Sequence, residues 1–242
     1  MMQFPQRIQR TLAQFTLYKG CLSLLINPGN THAVYDIEEG LHYSPATRFA
    51  VNYVKRDPNV APILQERYLA PAPNLEALLQ CSPDSLGYQY ATSLIQAGFD
   101  PNFYRPIAVK DDTTYLFMRL RQTHDIWHVI TGFGTDVVGE LGLKAFEFMQ
   151  TRRPVAIVLL AGGFLRLLIR CPQSLPELLR QISRGYELGM FAKPLLSQKW
   201  EEQWDKSLTQ WRRELNIVIT ARSCPDRVAS GSRIVHCQNS HE

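Results

Sequence analysis

The sequence predicts an all-α protein: one multi-helix domain over residues 1–220, with a helix hairpin at its centre and residues 221–242 as a disordered tail. Three observations lead there. Segments with a clear hydrophobic period repeat at i, i+3, i+4 and i+7, which is one face of a helix. Pro, Gly, Ser, Asn and Asp fall between those segments, where they cap and stop helices. The apolar run Ile217-Val218-Ile219 stands too isolated to argue for a sheet.

Residues 6–27 and 31–41 pair across the turn Asn27-Pro28-Gly29-Asn30, with Asn30 or Thr31 capping the second helix. A short helix over 45–55 ends at Asp57-Pro58. Residues 66–74 contain Pro71 and Pro73 and read as an extended connection, after which Asn74 caps a short helix to Gln80. Ser82-Pro83 starts the next helix, with proline in its first turn, and Gly98 ends it. Residues 99–112 are loop. Asp111 or Asp112 then starts a helix to about Ile130, Gly132-Phe133-Gly134 breaks it, and Thr135 caps a second helix over 136–150. Pro154 opens a third, apolar helix to about Ile169. Ser174-Leu175-Pro176-Glu177 reads as a capping box for a helix that ends near Phe191. A last helix over about 197–215 carries Trp200, Trp204 and Trp211 at helical spacing, as core residues or membrane-interface anchors rather than ligand stackers. No repeat or mid-chain linker divides the chain, and residues 221–242 show no period.

Composition narrows the function classes. The 242 residues suffice to bury a sizeable core, and 45% hydrophobic with 20% charged residues is ordinary for a soluble globular protein. A net charge of +4 favours anionic surfaces mildly and is no nucleic-acid signature. Cys21, Cys81, Cys171, Cys224 and Cys237 are scattered and odd in number, without a Cys-x-x-Cys pair. They read as reduced intracellular thiols and argue against a thiolate metal site. The opening carries Arg7, Arg10 and Lys19 with no acid before Asp36, but the apolar run Cys21 to Ile26 is too short for a signal peptide and lacks a small-residue cleavage site. Nothing reaches the roughly 20 apolar residues of a membrane span. Val155 to Leu165, eleven residues without a charge, reads as part of a buried helix.

The chemistry concentrates at His124-Asp125-Ile126-Trp127-His128, followed after eleven residues by Glu140. Two of the six histidines here sit four apart on a helix, so both imidazoles share one face and can share a cation. Asp125 lies three residues before His128 and can lean toward the same point. The glycine break folds the second helix back, bringing Glu140 level with the histidines; Glu147, seven residues on, is a spare candidate. Asp136 reads as a charge favoured by the helix N-terminus. Two imidazoles and two carboxylates suit zinc or iron(II), and magnesium or calcium less well. The plain alternative is a pair of hydrogen-bonded core histidines, since Leu116, Phe117, Leu120 and Trp127 share their stripe. Burying several titratable groups is costly, however, unless a metal or partner compensates. The spacing is also that of zincin peptidases, with Asp125 one methylene shorter than the usual glutamate base; a zinc hydrolase is a minor alternative.

The full pattern His-Asp-x-x-His, eleven residues, Glu resembles the signature of the coenzyme Q biosynthesis protein 4 family. Other stretches agree: Arg56-Asp57-Pro58, Ile63-Leu64-Gln65-Glu66-Arg67, Leu86-Gly87-Tyr88-Gln89-Tyr90, Phe146-Glu147 with Gln150-Thr151 and Pro154, Arg184-Gly185, Trp200-Glu201 and Arg213-Glu214-Leu215-Asn216-Ile217. The resemblance covers roughly residues 12–217. It implies an all-helical protein of ubiquinone biosynthesis that binds a divalent metal, usually taken to be zinc, through His124, Asp125, His128 and Glu140. It further implies a prenylated quinone precursor as ligand, other quinone-biosynthesis enzymes as partners, and peripheral membrane contact. The family is implicated in oxidative decarboxylation at C1 of a polyprenylated 4-hydroxybenzoate, in which a hydroxyl replaces the carboxylate. A non-catalytic lipid-binding scaffold is the alternative, and a homodimer is compatible with either. The chain starts almost at the family core, which implies a bacterial, cytoplasmic member lying against the inner membrane. Gly162 and Gly163 would let a prenyl tail approach the backbone, tight helix packing being their plainer role. Arg166 and Arg170, or Arg180 and Arg184, would meet an anionic head group if they are not simply solvated.

Overall fold

The computed structural model describes residues 6–27 and 30–219, so the expected disordered tail at 221–242 lies outside the described residues. Helix α1 (Gln6–Ile26) packs against α2 (Thr31–Gly40), as the turn between them predicts, although Asn30 supplies no side-chain cap. Ser44 caps α3 (Pro45–Arg56) by accepting the Thr47 amide at 3.0 Å. The short α4 (Ala61–Glu66) has no counterpart in the sequence reading. Asn74 caps α5 (Leu75–Leu78) as expected.

Helix α6 (Leu86–Ala97) begins at Ser85, three residues later than Ser82-Pro83 suggests. The reason is tertiary. The Leu86 and Gly87 amides donate to the carbonyls of Lys206 and Trp204, at 2.9 and 2.8 Å, so the chain docks on the 204–206 segment before it turns helical. Asp111 and Thr114 form a reciprocal capping box at the start of α7 (Asp112–Thr131), which Gly132 ends in the left-handed conformation. Asp136, and not Thr135, caps α8 (Val137–Thr151), taking the Val138 and Gly139 amides at 2.9 and 3.1 Å. Pro154 opens α9 (Pro154–Arg170).

Ser174 does not form the expected capping box for α10 (Leu175–Phe191). Its backbone is already helical, continuing a 3-10 turn from Pro172, and Glu177 instead accepts from Arg180 and Gln181. The expected helix over 197–215 is also broken up. Only α11 (Leu208–Glu214) is α-helical, after 3-10 turns at Leu195–Ser197 and Trp200–Glu202, because the 204–206 carbonyls serve α6. No strand occurs among the described residues; Ser85 and Ser207 make an isolated bridge.

The main core joins α3, α4, α6, α7 and α8 with Trp200 and Trp211, which are buried, their rings 4.7 Å apart. Trp204 packs partly buried beside them. Helix α8 runs between α9 and α10. It approaches α10 so closely that a Cβ on Gly185 would lie 2.1 Å from the Gly142 carbonyl oxygen. Helix α9 is buried along one face only: Val155, Ala156, Leu159 and Leu167 are inside, while Ile157, Phe164, Leu165, Leu168 and Ile169 are exposed. The buried helix expected there is therefore half surface. On α1, Ile8, Leu12, Phe15, Tyr18, Leu22 and Ile26 are likewise exposed. No helix of the described residues is long and apolar enough to cross a membrane. Cys21 and Cys81 are free thiols, and Cys224 and Cys237 lie outside the described residues.

A buried ionic chain ties α2 to the α7–α8 hairpin. Glu38 of α2 accepts from Arg121 Nε at 2.7 Å and from Arg153. Arg153 also donates to Glu147 at 2.8 Å, and Glu147 accepts from Lys144 at 2.7 Å. Arg121 donates in addition to Glu39 at 3.0 Å. Glu38, Arg121, Glu147 and Arg153 are all buried.

Candidate metal centre

Three of the four residues in the histidine motif converge. His124 and His128 stand one turn apart on α7 and Glu140 in the first turn of α8 faces them. The two Nε2 atoms are 3.2 Å apart. Glu140 Oε1 is 3.1 Å from His128 Nε2, and its Oε2 is 3.5 Å from His124 Nε2. One ligand atom from each residue lies within 4.8 Å of the others. Bonds of about 2.0–2.1 Å at a tetrahedral zinc put ligand atoms about 3.3 Å apart, which is the spacing seen here. Two nitrogens and a carboxylate also form a borderline donor set, so the residues fit the cation that the sequence led us to expect.

His128 is held from behind. Its Nδ1 lies 3.0 Å from the Phe133 carbonyl, which only accepts, so Nδ1 carries the proton and Nε2 presents its lone pair to the centre. Exposure is graded across the site: the His128 side chain is 6% exposed, His124 27% and Glu140 36%. Burial works against charge on His128, but the hydrogen bond and charge of Glu140 prevail and raise its pKa. Burial likewise works against the Glu140 carboxylate, yet the charge of His124 and the bonds from both imidazoles hold it well below the usual carboxylate range. Without a cation, the cluster is an ion-paired acid and imidazole set.

Asp125 does not join this group. It is the next residue after His124, about 100° further round the helix, and it acts on His128 only as a nearby charge. Glu147, the spare candidate, is spent on Lys144 and Arg153. Gly163 serves packing, since a Cβ there would lie 2.5 Å from Leu141 Cδ1, whereas Gly162 has open space beside it. Arg166 is half-buried and Arg170 exposed on α9. Arg180 pairs with Glu177.

Arg184, expected at an anionic head group, points instead to the end of α7. It donates to the Thr131 carbonyl at 2.6 Å and stacks over Phe133, 4.2 Å from its centroid. Arg212 donates to the Ile130 and Val129 carbonyls at 2.9 and 2.8 Å. The last carbonyls of a helix have no partner within it and carry negative partial charge, so they attract cations. The sequence reading missed Arg212 and Phe133. Its only hint was the glycine-flanked break itself, which left the Phe133 carbonyl free to turn back.

These features define an all-helical protein with a His, His, Glu cation site on a glycine-broken helix hairpin. Comparison with known proteins makes the class specific. Residues 11–220 match the family model described as coenzyme Q (ubiquinone) biosynthesis protein Coq4, and the chain belongs to that family. It is 32% identical over 223 residues to the mitochondrial ubiquinone biosynthesis protein COQ4 homolog of Rattus norvegicus, covering 88% of this chain and 82% of the rat protein. It is 32% identical over 177 residues to the Xenopus laevis homolog, covering 72% and 62%. Against the COQ4 protein of Lodderomyces elongisporus it is 28% identical over 211 residues, spanning 84% of this chain but only 56% of the relative. Its fold matches the crystal structure of a Nostoc punctiforme PCC 73102 protein provisionally described as a ubiquinone biosynthesis protein. The TM-score is 0.77 at 34% identity, over 86% of this chain and 97% of that one.

Proposed function

We propose that the chain serves the biosynthesis of ubiquinone or a related prenylated quinone, with His124, His128 and Glu140 holding a divalent metal, zinc by preference, at which a prenylated benzoate ring is bound. The observation that carries this is the convergence of those three side chains at zinc spacing in a member of the Coq4 family. Iron(II) suits the same donors; magnesium suits them less because it prefers an all-oxygen shell. A bound metal would supply Lewis acidity toward a ring carboxylate or phenolate. The chain's own residues orient and anchor. Phe133 fixes the His128 tautomer, and the Glu140 carboxylate would balance part of the cation's charge. The reaction class is oxidative decarboxylation of the ring at C1, which consumes an oxidant and releases carbon dioxide. Asp125, the counterpart of a zincin base, stands outside the converging group, and that weighs against a hydrolase.

The exposed apolar faces of α1 and α9, with Arg166 and Arg170 on the latter, support peripheral contact with a lipid surface and with partner enzymes of the pathway. They also favour a second reading, a non-catalytic scaffold that presents prenylated intermediates to those enzymes. The variant His128→Ala separates the two. The enzyme reading expects metal content to vanish and quinone production to stop in cells that depend on this chain, while circular dichroism and prenyl-lipid binding persist. Normal quinone levels in cells carrying the metal-free variant would refute it.

A further inference from the structure

We propose that Arg184 orients His128 and so sets the cation affinity of the centre, acting through Phe133. This rests on the reading of His124, His128 and Glu140 as metal ligands. The side chain of His128 is anchored at one point outside the ligand set, the Phe133 carbonyl at 3.0 Å. That carbonyl belongs to the three-residue break after α7, where Gly132 has a φ of 69° and its amide closes onto the His128 carbonyl at 2.8 Å. A short break of this kind does not fix a carbonyl by itself.

The Phe133 ring does so, because it is clamped on two sides. The Arg184 guanidinium lies over one face, with Cζ 4.2 Å from the centroid. The edge of the ring fills the space above Gly142, where a Cβ would meet Phe133 Cε1 at 2.6 Å. The same guanidinium donates to the Thr131 carbonyl at 2.6 Å, so one rigid planar group joins the last turn of α7 to the ring of the break. Arg184 has no carboxylate partner among the described residues; its other side-chain contact is Gln181 at 3.4 Å. Its charge is met by a helix end and an aromatic face, both of which attract cations. The contact of Gly185 with Gly142 keeps α10 against α8 and fixes the reach of the arginine.

Arg212 is the internal control. It caps the Ile130 and Val129 carbonyls of the same helix end from α11; it acts on Arg184 as a nearby like charge, while the guanidinium stacked on Phe133 among the described residues is that of Arg184. If Arg184 acts through the ring, Arg184→Gln weakens zinc binding by about ten- to a hundredfold, the usual effect of losing a group that orients a ligand. Arg212→Gln lowers the melting temperature and leaves zinc affinity unchanged. Arg184→Lys keeps the charge at Thr131 but not the planar stack, so it restores stability and not affinity. Phe133→Leu keeps the carbonyl and removes the ring. It reproduces the affinity loss, and the double variant with Arg184→Gln loses no more than either alone.

Zinc affinity is measured on the full chain by competition with a chromophoric chelator. The His128 Nδ1 proton is followed by nuclear magnetic resonance in the metal-free protein, where protection from exchange in wild type and loss of it in Arg184→Gln support the proposal. Wild-type zinc affinity in Arg184→Gln, or equal weakening by Arg212→Gln, overturns it. A wild-type chain that binds no zinc would instead overturn the metal reading, and the histidine proton signal would still decide the orienting role of Arg184.

Discussion

Replacing Glu38 by alanine tests how the hairpin is held in register with the rest of the fold. Glu38 is buried between two buried guanidinia, accepting from Arg121 Nε at 2.7 Å and from Arg153. Its loss leaves Arg121 with Glu39, at 3.0 Å on the more exposed side, and Arg153 with Glu147 at 2.8 Å. Two cations would then face each other across a cavity with one carboxylate each. Breaking a buried pair by removing one partner costs about 3–5 kcal/mol, because the stranded charge keeps its desolvation penalty. For a chain of this size, that corresponds to a melting temperature lower by roughly 6–20 °C. The assay is thermal and denaturant unfolding of wild type, Glu38→Ala and Glu38→Gln. The glutamine variant keeps the volume but sets an amide donor against guanidinium donors, so it recovers little. Glu177→Ala, which breaks the exposed pair with Arg180, is the comparison and costs no more than about 1 kcal/mol. A loss below about 1 kcal/mol in Glu38→Ala would refute the reasoning, since the network would then be rearranging freely or reached by water.

The centre gives a pH prediction whose sign depends on the metal. The pKa of His128 is raised above 6.5, so its contribution to the metal-free fold is complete below 6.5 and fades as pH rises through the folded value. That of Glu140 is depressed well below 4.5, so its contribution is complete above 4.5 and is lost on acidification. The metal-free cluster is therefore most stabilising between 4.5 and 6.5. Zinc needs neutral imidazoles, so the melting-temperature gain of zinc over chelator should grow from about pH 5 to about pH 8; a gain that shrinks would contradict the ligand set. Gly185→Ala must open the α8–α10 contact by roughly 1 Å, at a cost of about 1–3 kcal/mol, and an unchanged unfolding midpoint would mean that the helices are not so close. Asp136→Ala strips the cap from the turn that carries Glu140 and should lower stability by about 0.5–2 kcal/mol in thermal unfolding, with a measurable drop in zinc affinity.

The parts of the centre legible in the sequence are those set by local geometry. Four-residue spacing puts His124 and His128 together on any helix, and the glycine-flanked break is a local stop that returns α8 alongside α7. Asp125, expected beside the histidines, stands outside the converging group, since a neighbour at i+1 is turned about 100° round the helix. Glu147 shares a face with Glu140, yet Lys144 on its own helix and Arg153 just before α9 claim it, and Arg153 is held in turn by Glu38 of α2, a partner that no local pattern announces. The bond from Arg121 to Glu38 spans 83 residues and that from Arg153 to Glu38 spans 115. A trace was present, since arginine at 121 interrupts the stripe of Phe117, Leu120 and His124, and a charge at such a position asks for a buried partner. The last helix failed for the same kind of reason. Trp200, Trp204 and Trp211 keep helical spacing, but the backbone between them answers the orphan amides of α6.

The graded exposure of the three ligands bears on how anything reaches the centre. His128 is sealed, with one nitrogen fixed by Phe133 and the other turned inward, so it serves as the anchor. His124 and Glu140 stand open by about a quarter and a third of their side-chain surface, so on the proposed function an incoming carboxylate or phenolate would approach over them. That approach would set a negative group beside Glu140, whose charge in the metal-free protein faces both imidazoles and the nearby Lys144. A cation of charge two changes this balance, since two neutral imidazoles and one carboxylate leave it with a net positive charge. On the proposed function, a zinc ion held by this donor set would therefore favour an anionic ligand over a neutral one. An Asp125 carboxylate in the shell would cancel that charge; Asp125 instead lies outside the converging group, about 100° round α7 from His124, so a cation held as proposed would keep it.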